Sequence, residues 1–277
     1  ICAPDIFKKF IIELTELYCD VDGTFPNHHP DPTVKENLTD LIKLMKTGNY
    51  DVGIAFDGDA DRVGVVDETG EVIWADQLMA LFLPELVNPG DEILYDVKCS
   101  KALEEEIIKY QGKPVMWKTG HSLVKQKMVE LNCKFGGEMS GHIFFADDYY
   151  GYDDAIYVAA RLLQTLSRSK KTLSELRSEL PKYFSTPEIR LEANSDEEKF
   201  MISKKAVDYF TANFDCSTVD GVRINFEDGW GLVRASYTQP VIVCRFEATS
   251  EERMQQIKKL ITDKLNEMGE LKFDVGH

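Results

Sequence analysis

In EILYDVKCSKALEEEIIKYQGKPVMWKTGHSLVKQKMVEL, residues 92–131, strand and helix patterns alternate. The apolar run Ile93-Leu94-Tyr95 leads into a helical pattern over 101–110 that Gly112 stops. A second strand pattern covers 114–117 and a second helical pattern 123–131. Short apolar strands alternating with helices of about ten residues predict a parallel sheet with crossover helices. Outward on both sides the alternation continues, with a helix over 77–86 before it and a segment 135–145 plus a helix over 154–166 after it. Further upstream, Leu38, Leu41, Ile42 and Met45 recur at one-face helical spacing over 33–47, and Gly48 can end that helix. Residues 51–56 then read as a buried strand. Residues 63–66 and 71–74 flank Asp67-Glu68-Thr69-Gly70, a hairpin pattern. Beyond Pro181 the texture changes: a strand over 188–192, a helix over 197–210, a hairpin of 222–226 with 230–236, a strand over 241–248, and a helix over 250–267 with Ser250 as N-cap. That part reads as a smaller α+β unit with an antiparallel sheet, so the fold class is α/β with a C-terminal α+β domain.

Composition narrows the function. The 277 residues are 43% hydrophobic and 29% charged, a globular mix that suggests about two domains. The formal net charge of −16 disfavours polyphosphate backbones and anionic lipid, so neither nucleic acid nor a membrane is an expected partner. A small anionic substrate held in a local basic pocket remains open. The most apolar stretch, 78–87, is too short to span a bilayer and contains Pro84 and Glu85. Six scattered cysteines without a C-x-x-C pair read as reduced thiols in a cytoplasmic protein. The chain opens on Ile1 rather than Met, which reads as a fragment.

Three segments carry chemistry. In the first, Asp57, Asp59 and Asp61 alternate at the end of the 51–56 strand. Carboxylates this close repel unless a cation sits among them, and hard oxygen donors suit Mg²⁺ or Ca²⁺ rather than zinc. A solvated acidic turn is the plain alternative. An EF-hand loop would place Glu68 twelfth, but Arg62 stands where that loop needs Gly. An aspartyl-phosphate phosphatase loop fits Ile54-Ala55-Phe56-Asp57-Gly58-Asp59, with Asp57 as nucleophile. It fits less well at Asp61 and at the hairpin that follows in place of a helix. In the second segment, Gly136-Gly137-Glu138-Met139-Ser140-Gly141-His142, a carboxylate, a hydroxyl and an imidazole match the donors and acceptors of a polyol. In the third, Arg234-Ala235-Ser236-Tyr237-Thr238-Gln239-Pro240, a guanidinium and hydroxyls match a phosphate. Each of these two also reads as an ordinary turn. Lys98 and Lys118-Thr119-Gly120-His121 follow strands, where parallel sheets bind ligands.

Together these loops resemble the α-D-phosphohexomutase family, in its phosphomannomutase/phosphoglucomutase branch. The matching segments are Phe25-Pro26-Asn27-His28-His29-Pro30-Asp31-Pro32, loop 57–62, Asp96-Val97-Lys98-Cys99, Lys118-Thr119-Gly120-His121, loop 138–142 and loop 234–240, in family order. The resemblance implies repeated three-layer α/β domains with mixed, mostly parallel sheets, plus the C-terminal domain. Here these are a partial second domain over 1–69, a third over 70–183 and a fourth over 184–277. It implies interconversion of hexose 1-phosphate and 6-phosphate (mannose or glucose) through a phosphoserine and a 1,6-bisphosphate, with glucose 1,6-bisphosphate as activator. Asp57, Asp59 and Asp61 would hold Mg²⁺. Glu138 and Ser140 would hold sugar hydroxyls. Arg234, Ser236, Tyr237 and Thr238, with Lys98, would hold the non-reacting phosphate. Arg62, Lys98, His121 and His142 are the candidates for the catalytic acid–base. Tyr237 departs from the Asn usual in the family. No Ser-His-Asn-Pro-like nucleophile segment occurs in the chain, so the expectation is a fragment lacking the phosphoserine domain and inactive alone. A non-catalytic module that binds metal or sugar phosphate is the remaining alternative.

Overall fold

The structure, a computed structural model, describes residues 2–20, 22–48, 50–237, 239–269 and 271–273. It divides into two compact units. The first comprises Ile1–Tyr95, Glu105–Val115 and Gly120–Leu180, and the second Asp96–Glu104, Met116–Thr119 and Pro181–His277.

In the first unit a short helix α1 (Ala3–Phe7) sets Phe7 in a stacked contact with Phe56. Helix α2 (Thr39–Thr47) follows a 3-10 turn over Lys35–Leu38. The spacing of Leu38 and Met45 turns both onto Val66 and Val72, giving a small core. Gly48 does cap α2, in an extended conformation. Strands β1 (Val52–Phe56), β2 (Val63–Asp67) and β3 (Val72–Ile73) form an antiparallel meander. Phe56 pairs with Val63, so loop 57–62 is a hairpin connection. At the other end Asp67 Oδ1 accepts from the N–H of Thr69 and of Glu71, which locks the β2–β3 turn.

Helix α3 (Ala75–Leu86) takes up most of the apolar 78–87 stretch. Leu78 through Leu83 are all buried, so its middle is apolar on every side and lies in the core, while Pro84 and Glu85 near its end are exposed. A four-stranded sheet follows, in the order β5 (Lys113–Trp117), β4 (Glu92–Asp96), β6 (Phe135–Gly137), β7 (Ile143–Phe145). Helices α4 (Lys101–Lys109) and α5 (His121–Leu131) connect its strands. Strands β4 and β6 are parallel, whereas β7 folds back antiparallel on β6, so segment 135–145 is a hairpin and the sheet is mixed. Helix α6 (Ala155–Arg168) begins at Asp154, whose carboxylate accepts from Tyr157 N–H, and α7 (Leu173–Ser178) begins with a Thr172/Glu175 capping box.

The second unit has one antiparallel sheet in the order β10 (Cys216–Ser217), β11 (Val222–Phe226), β12 (Gly229–Ala235), β13 (Val241–Ala248), β9 (Ile189–Glu192), β14 (Lys272–Phe273). Strand β8 (Phe184–Ser185) also pairs with β13. Helices α8 (Asp196–Asn213) and α9 (Glu251–Asn266) start at the N-caps Ser195 and Ser250 and share a core with Val233, Cys244 and Phe246. By strand alternation Trp230 and Leu232 face the other way, onto Val97. There Arg223 donates to the carbonyls of Val97 and Cys99, and Arg245 to that of Lys98. These buried guanidinium bonds hold the 96–99 backbone to the antiparallel sheet.

Candidate active site

The first unit gathers two of the three segments. Loop 57–62 curls at Ala60, which adopts a left-handed conformation (φ 60°). Asp57, at the end of β1, is buried. Its Oδ1 accepts from the N–H groups of Asp61 and Arg62 at 3.1 Å each, and its Oδ2 from Arg62 Nε at 2.7 Å. Arg62 also reaches Asp31 Oδ1 at 3.1 Å, and Asp31 is fixed in turn by Thr33. Its guanidinium is thus a clamp between two carboxylates. Burial works against the Asp31 carboxylate, but the Thr33 bonds and the Arg62 charge outweigh it and hold its pKa below the usual value.

Asp57, Asp59 and Asp61 each bring a carboxylate oxygen within 4.8 Å of the other two. The set is all oxygen, on one short loop, with Asp57 pinned by backbone N–H groups; it fits a hard divalent cation such as Mg²⁺. Burial, the hydrogen bond to Asp57 and the charges of Asp57 and Asp59 raise the Asp61 pKa, with His142 opposing them. A bound cation would relieve that repulsion.

Loop 138–142 is tied to this one directly. Gly141 C=O accepts from Val63 N–H at 3.2 Å, immediately after Arg62. Gly136 and Gly137 are strand residues of β6, and Glu138 is 1% exposed. The carboxylate is therefore not displayed on an open glycine-rich turn. Its Oε1 accepts from Gly120 N–H at 2.5 Å and its Oε2 lies 3.0 Å from His142 Nδ1. Ser140 Oγ is 3.0 Å from the same nitrogen. On its other side His142 Nε2 is 3.3 Å from Asp61 Oδ1. Burial lowers the His142 pKa, but the Glu138 hydrogen bond and the charges of Glu138 and Asp61 raise it more, for a net rise above the ordinary value. His121 stacks on His142 with centroids 5.1 Å apart, and its Nδ1 is 2.7 Å from Asp153 Oδ2. Lys125 holds the other Asp153 oxygen at 2.8 Å. The first unit thus brings together Asp57, Asp59, Asp61, Arg62, His121, Glu138, Ser140 and His142.

The second unit holds the rest. Arg234, near the end of β12, is buried with Nε 2.9 Å from Asp220 Oδ2, an oxygen that also accepts from Thr119 N–H at 3.1 Å. Ser236 is buried and its Oγ accepts from Gln239 N–H at 3.3 Å, while Tyr237 is 65% exposed, 5.6 Å from the Arg234 guanidinium carbon. Thr238 lies outside the described residues. Lys98 is buried, with Nζ 2.7 Å from Glu188 Oε1 and 3.8 Å from Asp96 Oδ2. Burial pushes the Glu188 carboxyl up, but the Lys98 charge and hydrogen bond bring its pKa below the usual value. Sequence reading assigned no part to Asp153, Asp220 or Glu188. Nothing in their local sequence marks them, because each meets its partner only through the fold.

The chain matches the phosphoglucomutase/phosphomannomutase alpha/beta/alpha domain II over residues 2–70, domain III over 74–184 and the C-terminal domain over 188–264. It is 48% identical over 267 residues to a phosphomannomutase/phosphoglucomutase of Pseudomonas aeruginosa, covering 96% of this chain and 58% of that protein. It is 44% identical over 260 residues to a phosphoglucomutase of Neisseria meningitidis, covering 92% and 56%. A crystal structure of a phosphoglucomutase/phosphomannomutase family protein from Burkholderia thailandensis superposes with a TM-score of 0.86 at 42% identity, covering 97% of this chain and 58% of that one. The chain thus spans somewhat over half the length of these relatives. With the acidic loop, the glutamate loop and the arginine loop all carried on the matched domains, the chain belongs to the α-D-phosphohexomutase family.

Proposed function

We propose that this chain forms the metal-, sugar- and phosphate-binding part of a phosphohexomutase that interconverts hexose 1-phosphate and 6-phosphate, with mannose and glucose as the sugars. The observation that carries the reading is the hydrogen-bonded continuity from Asp57 through Arg62 and Val63 to Gly141 and Glu138. It ties the carboxylate triad to loop 138–142, which we read as polyol-binding, within one unit. Asp57, Asp59 and Asp61 would hold Mg²⁺, whose contribution is to offset charge on a transferring phosphoryl group.

The chain's own residues do the remaining work. Arg62, clamped by Asp57 and Asp31, keeps a fixed positive charge beside the triad. Glu138, tied through its two oxygens to Gly120 N–H and His142 Nδ1, presents a fixed carboxylate to sugar hydroxyls. Ser140 adds a hydroxyl partner. His142, held at Nδ1 by Glu138, presents Nε2 as a group able to give or take a hydroxyl proton, and His121 is the second imidazole in reach. In the second unit Arg234, Ser236, Tyr237 and Thr238, with Lys98, form the phosphate loop. Asp220 aligns the Arg234 guanidinium and Glu188 holds Lys98. The phosphoryl carrier, a phosphoserine by family resemblance, is not among these residues, so the 277-residue chain binds without turning over. The domains follow as partial second (1–69), third (70–183) and fourth (184–277). Asp57 as a phosphatase nucleophile is the weaker reading, because a hairpin, with Phe56 paired to Val63, follows the loop where a phosphatase loop of this kind leads into a helix.

Calorimetry of the chain with glucose 1-phosphate or mannose 1-phosphate in Mg²⁺ tests this reading, alongside a mutase assay with glucose 1,6-bisphosphate as activator. Binding without turnover is expected. Absence of binding would remove the sugar-phosphate assignment. Robust turnover by the chain alone would remove the need for an external carrier, and phosphate release abolished by D57N would favour the phosphatase.

A further inference from the structure

A second donor set lies beside the carboxylate triad. Asp61, His121, His142 and Asp153 each bring one donor atom within 4.8 Å of the others. Its chemistry differs from that of the triad: two imidazoles and two carboxylates favour a borderline d-block ion such as Zn²⁺ or Co²⁺, whereas magnesium seeks oxygen and water.

The hydrogen bonding around His142 is an independent pointer. His142 Nδ1 sits 3.0 Å from the carboxylate of buried Glu138, which is not one of the four donors. A carboxylate on one ring nitrogen is the outer arrangement that orients a metal-binding histidine and leaves the lone pair on the other nitrogen. On His142 that other nitrogen faces Asp61 Oδ1 at 3.3 Å. Tetrahedral ligand atoms at bond lengths of about 2.0–2.1 Å stand about 3.3 Å apart, so this pair already has the spacing of two ligands on one ion. The rings are near parallel, at 24°, and Lys125 steadies the far oxygen of Asp153.

We propose that Asp61, His121, His142 and Asp153 form a binding site for a borderline divalent metal ion, distinct from the all-aspartate loop and coupled to it through Asp61. The site stands whether or not the chain serves a phosphohexomutase. If it does, an ion there engages His142 and Asp61 together, and zinc acts as an inhibitor even while magnesium fills the triad.

The test is cobalt titration of the 277-residue chain in excess magnesium, read by the visible d–d absorption of low-coordinate Co²⁺ and by zinc displacement. One saturable, zinc-displaceable band is expected. H121A and D153N should weaken cobalt binding by at least about 10–100-fold, the usual effect of removing even an orienting partner. D59N, which touches only the triad, should leave the band intact. His121 is half exposed, so H121A tests the site without a folding defect, and a melting curve of each variant checks this. Three results would overturn the proposal: no band in the wild type, a band that survives both H121A and D153N, or a band lost in D59N and kept in H121A. None of them bears on hexose phosphate binding, which calorimetry reads separately.

Discussion

Replacing Gly141 by alanine tests the link between the two loops of the first unit. Gly141 has φ +102°, a conformation that side-chain-bearing residues adopt at a cost of about 1–2 kcal/mol. A Cβ there would stand 2.9 Å from the carbonyl oxygen of Val63 and 3.3 Å from its nitrogen. Both are backbone atoms of β2, so no flexible side chain can move aside, and overlap of this kind adds about 1–3 kcal/mol. Gly90 provides the control in the same unit. Its φ is +90°, but a Cβ would meet nothing within 4 Å, so Gly90→Ala carries the conformational cost alone. The expected loss is about 2–5 kcal/mol for Gly141→Ala against about 1–2 kcal/mol for Gly90→Ala. Native-state hydrogen exchange reads this unit by unit. Amides of β6 and β7 should exchange roughly 30-fold to several thousand-fold faster in Gly141→Ala, at about 1.4 kcal/mol per tenfold, while amides of β12 and β13 keep their rates. Equal acceleration in the two variants would refute the reasoning, because the loop would then not be pressed against β2 as the contact with Val63 requires.

Other perturbations separate folding from binding. Asp59 is exposed whereas Asp57 is anchored, so Asp59→Asn should change the melting temperature in chelator little (within about 0.5 kcal/mol) yet abolish the rise on adding Mg²⁺. Asp57→Ala instead deprives Arg62 Nε and two backbone N–H groups of their acceptor, and should cost about 2–3 kcal/mol without any metal, measured by chemical denaturation. Arg234→Ala leaves the carboxylate of Asp220 buried without its cation. It should destabilise the second unit by about 3–5 kcal/mol, so exchange in β11 and β12 must be measured before any loss of phosphate affinity is assigned to the guanidinium. Glu188 has a depressed pKa, so its pairing with Lys98 stabilises the fold fully above the ordinary glutamate value of about 4.3 and is lost as pH falls through the depressed value. Glu188→Gln should flatten that acid-side fall in the melting temperature, and an unchanged profile would exclude the pair as its source.

What the sequence made legible follows from the range of the forces involved. The alternation in 92–131, the Ser250 cap and the spacing of Leu38, Leu41, Ile42 and Met45 are local; the first two predict elements present within a residue or two, while the helix expected over 33–47 is a 3-10 turn over Lys35–Leu38 followed by an α-helix from Thr39. Strand direction is not local. Segment 135–145 continued the alternation on paper, yet β7 returns antiparallel on β6, because the turn at 138–142 leaves no crossover between them. Burial was misread in the same way. Glycines around Glu138 suggest display, whereas pairing of β6 with β4 and β7 buries the loop's root and Glu138 with it.

The partners of the candidate residues explain why motif matching alone understates this site. A motif names Arg62, His142, Arg234 and Lys98 as cations free to meet a phosphate or a sugar. In the structure each is already bonded to a carboxylate, namely Asp57 and Asp31, Glu138 and Asp61, Asp220, and Glu188. The net charge of −16 then becomes intelligible. Part of the acidic excess serves as counter-ions that hold the basic groups in fixed directions, so under the proposed function an anion would meet preorganised donors rather than mobile ones. The arrangement has a consequence for substitution. Removing the carboxylate partner should loosen the cation while preserving its charge, so Asp220→Asn should weaken phosphate binding although Arg234 remains. Calorimetry with hexose phosphate decides the point, and an undiminished affinity in a folded Asp220→Asn chain would mean that the guanidinium needs no such support.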